Sequence, residues 1–178
     1  MRLFTAVDIP KPVESALGTM MERLRPLAKL KWTDAQKLHI TTKFIGEWPE
    51  DRVEELRAVL AGVGSPGVIR ISVRGLRWGP GARHPRMLWA GVEGGPELAS
   101  LAHETEQAVH GLGVPVEGRK YSPHLTLARV RDRVPEGALR QAVESEGAAD
   151  FGSFVAAAFY LYLSEDGLYR KLAEFSLV

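Results

Sequence analysis

Cysteine is absent from the 178 residues. That one absence excludes disulfides, thiolate nucleophiles and thiolate-bound zinc or iron–sulfur centres, and it points to the cytoplasm. Asparagine is absent too, and arginine outnumbers lysine, a bias that fits a heat-adapted or GC-rich source. No apolar run approaches the roughly 20 residues that span a bilayer, so no membrane association is expected. The N-terminus shows neither a basic leader nor a long apolar stretch, and no secretory signal is expected. Neither sign of charge is in excess: 23 basic residues face 22 acidic ones, for a net charge of +1. Any attraction to nucleic acid must therefore come from local clustering.

What is present is enough apolar material for a substantial core, 45% of the chain. Apolar periodicity predicts a strand over Arg2–Ile9 stopped by Pro10, a helix over Val13–Leu27 and a strand over Lys37–Ile45. A helix then enters at Pro49 and ends in the Gly62–Gly67 breaker cluster. A hairpin follows, with arms Val68–Leu76 and Arg86–Val92 around the basic turn segment Arg77–Pro85. Glu97–Leu112 reads as a helix, Pro123–Val130 as a strand and Gly137–Val143 as a short helix. Two final strands, Phe151–Leu163 and Leu168–Leu177, flank a turn at Glu165–Gly167. Consecutive strands argue against a simple βαβ sheet. The expected fold is α+β: a single domain over residues 1–178 made of two similar, interleaved lobes, each half of the chain carrying one His-x-Thr strand.

Three of the five histidines precede threonine by two positions: His39 with Thr41, His103 with Thr105, and His124 with Thr126. In a strand, residues i and i+2 share a face. His39 and Thr41 thus point one way and Leu38 and Ile40 the other; His124 and Thr126 oppose Leu125 and Leu127. His103 lies in a helical pattern, where i and i+2 diverge, and is set aside. Two His/Thr faces across a cleft would supply an imidazole to activate water, an imidazolium to protonate a departing oxygen, and hydroxyls to hold phosphate. Such a pair needs no metal, and neither triplet offers a third ligand at metal-binding spacing.

Around these triplets the chain reads Arg2-Leu-Phe-Thr-Ala-Val-Asp8, Leu38-His-Ile-Thr-Thr-Lys-Phe-Ile-Gly-Glu47 and Tyr121-Ser-Pro-His-Leu-Thr-Leu-Ala-Arg129. This ordered set resembles the 2H phosphoesterase superfamily, and within it the bacterial and archaeal RNA 2′,3′-cyclic phosphodiesterases, also called 2′-5′ RNA ligases. The resemblance implies a bilobal, pseudo-twofold fold around a central cleft, each lobe with an antiparallel sheet and helices. It implies no cofactor, and hydrolysis of RNA 2′,3′-cyclic phosphate ends to 2′-phosphomonoesters, with 2′-5′ ligation of tRNA halves as the reverse chemistry. His39 would be the proton donor and His124 the acceptor, with Thr41, Thr126 and Arg129 on the phosphate. The protein is expected to act as a monomer. Thr42 stands where the family carries an apolar residue, on the expected core face.

Arg129 lies five positions after His124, an odd offset that an unbroken strand would turn away from the cleft; a bulge would reconcile the two. Lys43 shares the His39 face by parity. Arg70, Arg74, Arg77, Arg83, His84 and Arg86, with Trp78 among them, form a candidate RNA-tracking stretch, and Trp32, Phe44 and Tyr121 are candidate base-stacking rings. For each of these the alternative is an ordinary surface or core residue, and His84 and His110 are read as structural. The residues also admit an RNA-end-binding module without turnover, or a phosphodiesterase for another small cyclic phosphate. Simple phosphate binding favours arginine, lysine and backbone amides over a titrating pair.

Overall fold

The computed structural model describes residues 1–81, 83–133 and 137–178. Ala82, inside the expected Arg77–Pro85 turn, lies outside the described residues. In chain order the elements are β1 (Arg2–Asp8), α1 (Lys11–Leu24), β2 (Lys31–Trp32), β3 (His39–Glu47), α2 (Val53–Ala61), β4 (Ile69–Gly79) and β5 (Met87–Glu93). These are followed by α3 (Gly95–His110), β6 (His124–Arg129), α4 (Ala138–Ser145), β7 (Asp150–Ala156), β8 (Ala158–Glu165) and β9 (Leu168–Ser176). The strands form two antiparallel sheets, ordered β3-β1-β8-β9 and β2-β6-β5-β4-β7. The fold is thus α+β with two lobes. Among the described residues no helix is long and apolar enough to cross a membrane.

The helices follow their apolar spacing. Val13, Leu17, Met20, Met21 and Leu24 form the buried face of α1, and Pro12 occupies its first turn, where its missing N–H costs nothing. Leu98, Leu101, Ala102, Thr105 and Val109 form that of α3. α1 succeeds β1 of the first sheet but packs on β7 of the second, while α3, which succeeds β5 of the second, packs on β3 of the first and on β4 of the second. The two sheets therefore share one contiguous core, in which each fully buried Leu, Ile or Met contributes about 1.5–3 kcal/mol.

One expectation is corrected here. Phe151–Leu163 is not one strand: it divides at Ala157 into β7, which pairs with β4, and β8, which pairs with β1 and β9. The chain changes sheets within a run of alanines that carries no turn signal. In consequence neither sheet is built from one half of the sequence alone. The C-terminal hairpin β8–β9 completes the first sheet, and the N-terminal pieces β2 and β4 belong to the second.

Candidate active site

β3 is an edge strand of the first sheet, and it meets β6 of the second. The two His-x-Thr triplets are thereby brought to a common cleft. Each strand begins with clean alternation, His and Thr half-exposed and the intervening Ile40 or Leu125 buried. Then each bulges at the same step. In β3, Ala6 pairs with Thr41 and Thr5 with Lys43, leaving Thr42 as the extra residue; in β6, Trp89 pairs with Thr126 and Leu88 with Ala128, leaving Leu127.

The bulge resolves the offset of Arg129, because an extra residue reverses parity and returns it to the face of His124 and Thr126. It does the same for Phe44, five positions after His39. Phe44 is 58% exposed, and both it and Arg129 line the cleft on either side of the histidines. The expectation for Lys43 fails for the same reason: the bulge breaks its parity with His39, and it is buried against α3. There its Nζ pairs with Glu106 at 2.9 Å and donates to the Pro115 carbonyl. Thr42 is buried, and its hydroxyl is satisfied by that of Thr5 at 2.7 Å, which explains a polar residue on the core face.

The histidines are held alike. Nδ1 of His39 lies 2.8 Å from the Lys37 carbonyl, and Nδ1 of His124 lies 2.8 Å from the Ser122 carbonyl. A carbonyl only accepts, so Nδ1 carries hydrogen in both rings and Nε2 is left to give or take a proton. Burial pulls both imidazoles below the ordinary histidine range. For His39 the Lys37 carbonyl and Asp8 oppose that pull while His124 adds to it; for His124 the Ser122 carbonyl opposes it while Arg77 and Arg129 add to it.

Aromatic walls orient the rings. Trp89 stacks on His124 with centroids 3.9 Å apart, and Arg77 lies over the other part of that stack at 5.6 Å from the indole. Phe4 lies against His39 at 4.7 Å, and Tyr169 meets it edge-on at 5.1 Å. Sequence reasoning misses Trp89 and Tyr169. Their partners are far away in the chain, and an aromatic in a strand carries no mark of a catalytic neighbour. Gly79 makes the Trp89 position possible, because a Cβ there would sit 2.2 Å from the indole. Gly79→Ala should therefore displace the Trp89–His124 stack, costing about 1–3 kcal/mol of stability and lowering turnover on the order of tenfold; unchanged kinetics would show that the stack does not position His124.

The cleft extends both ways from the pair. One arm, of about 770 Å³, is walled by Phe44, Trp89, Tyr121, His124, Thr126 and Arg129 and reaches α3. The other, of about 440 Å³, holds His39, Thr41, Lys37 and Tyr169 together with His124, Thr126 and Arg129. Tyr121 donates to the Thr41 carbonyl at 2.9 Å, and burial raises its pKa, keeping it a neutral donor. Arg129 approaches Met87 Sδ at 3.4 Å and pairs with no carboxylate among the described residues.

Of the basic stretch, Arg77 lies near His124, over the Trp89 ring and donating to Ser122 Oγ at 3.4 Å. Arg74 pairs with Asp150, and Arg70, Arg83, His84 and Arg86 line neither arm. Trp32 and Trp78 pack against the core. His103 and Thr105 diverge as a helix requires, Thr105 buried and His103 exposed at the rim of the larger arm. His110 bonds the Val114 carbonyl, a structural contact. Among the described residues no group of three or more His, Asp and Glu side chains is placed to hold a metal ion.

Known proteins resemble this chain in sequence and in fold. A family model described as the 2′-5′ RNA ligase superfamily matches residues 11–167. An RNA 2′,3′-cyclic phosphodiesterase of Methanocaldococcus jannaschii is 30% identical over 164 residues, 92% of this chain and 91% of that protein. The crystal structure of TT0787 of Thermus thermophilus superposes with a TM-score of 0.82 at 28% identity, covering 99% of this chain and 98% of the other. Escherichia coli LigT complexed with 3′-AMP has the same fold, with a TM-score of 0.78 at 21% identity over 98% and 97% of the two chains. With a family model spanning most of its length, a relative at this identity over nine-tenths of both chains, and two facing His-x-Thr strands, the chain belongs to the 2′-5′ RNA ligase superfamily.

Proposed function

We propose that the protein opens RNA 2′,3′-cyclic phosphate ends to 2′-phosphomonoesters, with His39 as proton donor and His124 as proton acceptor. The observation that carries this reading is the matched pair: two imidazoles in one cleft, each with Nδ1 tied to a carbonyl and Nε2 free. His124 Nε2 takes a proton from water as the water oxygen attacks phosphorus; the bond from phosphorus to the 3′-oxygen breaks, and that oxygen takes the proton from His39 Nε2. The Thr41 and Thr126 hydroxyls and the Arg129 guanidinium hold the non-bridging oxygens as charge builds there. The relatives' name supports RNA cyclic phosphate as substrate. With a 5′-hydroxyl in place of water as the nucleophile, the same groups would join tRNA halves through a 2′-5′ linkage: His124 takes the proton of the attacking hydroxyl, the bond from phosphorus to the 3′-oxygen breaks, and that oxygen takes a proton from His39. The domain works as a single unit of interleaved lobes, as a monomer in the cytoplasm and without metal.

The test is an oligoribonucleotide ending in a 2′,3′-cyclic phosphate, incubated with and without EDTA. The expected product carries its phosphate on the 2′-oxygen at equal rates in both; a 3′-phosphate would reverse the assigned polarity, and no product would leave only an end-binding role. The pH dependence follows from the shifts described above. One histidine must be neutral and the other protonated, so kcat/KM should be bell-shaped. Both midpoints are pulled down by burial, so the bell should peak on the acid side of about 6.5. A maximum well above that value, read at low substrate concentration, would contradict the burial of the free enzyme's pair.

A further inference from the structure

The two histidines are nearly equivalent by their backbone setting, yet the proposed reaction needs them to differ. Matching the ladders strand for strand aligns Phe4–Phe44 with Met87–Arg129, the two bulges with each other, and Asp8–His39 with Gly91–His124. The last pair is where the lobes part company. Asp8 is a carboxylate directly across the ladder from His39. At the equivalent place beside His124 there is a glycine, and no side chain fits, because a Cβ on Gly91 would sit 2.4 Å from the Arg74 carbonyl oxygen. His124 instead has two guanidinium groups near it, Arg77 and Arg129.

Asp8 is also fixed in place. Tyr162 of β8 donates a hydrogen bond to its Oδ1, and Lys171 of β9 lies 2.6 Å from its Oδ2 while resting on the Tyr160 ring at 3.8 Å. His39 is the more enclosed of the two imidazoles, with Phe4, Tyr162 and Tyr169 about it. Burial alone would therefore strip its proton first, the wrong order for a donor. Around His39 are Asp8 on β1, Tyr162 on β8, Tyr169 on β9 and His124 on β6, with Arg2, Lys37 and Arg129 lining the same arm of the cleft and Lys171 held on Asp8; Asp8 is the one carboxylate in this set.

We propose that Asp8, clamped by Tyr162 and Lys171, is a positioning residue that keeps the proton on His39 and so decides which of two matched histidines gives it. The inference rests on the donor role of His39. Its action is through space and touches no reacting atom. Lys171 works against it: by pairing with Asp8 it moderates the field that the imidazole feels.

The experiment is titration of the assigned imidazole NMR signals in the intact protein, beside pH profiles of kcat/KM, for Asp8→Asn and Lys171→Met. Asp8→Asn should lower the midpoint of His39, leave that of His124 nearly in place, and carry the alkaline limb of the profile to lower pH. Activity above the optimum should fall about threefold and recover as pH drops. Lys171→Met should move the same signal and the same limb the opposite way, a reversal that a purely structural role would not produce. A His39 midpoint unmoved in both variants would overturn the proposal. A midpoint that moves while only the acidic limb follows would show that His39 loses its proton first and would equally overturn the proposal, whereas a 3′-phosphate product from the unaltered protein would instead overturn the donor role of His39.

Discussion

Alanine in place of His124 is expected to cut turnover of a cyclic-phosphate-ended oligonucleotide by about 10²–10⁴-fold, and alanine in place of His39 by a similar factor. The loss should fall on kcat, because Thr41, Thr126 and Arg129, the proposed phosphate ligands, still line the cleft. Neither variant should unfold. Each imidazole lies on the cleft face of its strand, and the residues that anchor the strands, Ile40, Leu125 and Leu127, are fully buried on the other. The double variant should be little worse than either single one, since acid and base act in one transition state and their removal is not additive. Initial rates, with circular dichroism as the folding control, decide the matter; wild-type kcat in either single variant would sink the two-histidine mechanism.

Lys43→Met should be the most destabilising single charge removal in the molecule, by about 3 kcal/mol, the low end for a broken buried pair because Glu106 keeps a small solvent-facing edge. Lys43 is 3% exposed and Glu106 16%. Without the ammonium, Glu106 retains, among the described residues, the Glu117 N–H at 2.7 Å, and the Pro115 carbonyl loses the Lys43 donor. The segment from Pro115 to Ser122 then loosens, and that segment carries Tyr121 and the carbonyl that holds His124. Activity should therefore fall with stability. A second exchange, Glu106→Leu, in the same chain should recover much of the loss by removing the stranded charge. The pH sign is fixed by Glu106, whose pKa is lowered first by the Glu117 N–H and then by Lys43. A depressed carboxylate contributes stability that is complete above its unfolded value of about 4.3 and is lost as pH falls through the folded one. Denaturant unfolding of both proteins at neutral and acid pH would show a gap that narrows in acid; equal stabilities at neutral pH would mean that water replaces the ammonium.

The same residue shows where reading along the chain stops. The faces of His39, Thr41, His124 and Thr126 are legible because alternation in a strand is local, set by the backbone of five or six residues. Lys43 obeys the same rule on paper and breaks it in the fold, because a bulge is decided by the neighbouring strand: Thr5 and Ala6 of β1 settle which residue of β3 is extra. Arg129 and Phe44 gain their places in the cleft by that same tertiary event. Asp8 lies within a recognised N-terminal string, yet nothing local says that it stands across the ladder from a histidine thirty-one positions later in the numbering.

What the sequence by itself determined, then, is the set of elements whose cause is local: strand and helix identity from apolar period, the His-x-Thr faces, and the exclusion of thiolate chemistry by the lack of cysteine. The tertiary structure alone decided which sheet each strand joined, the change of sheets at Ala157, the stacking of Trp89 on His124 and the burial of Lys43. These depend on pairings between distant segments, where the free energy comes from burying surfaces against each other and not from any preference of the residues themselves. A composition-neutral run such as Ala156–Ala158 fits either sheet equally well; only the packed core selects one.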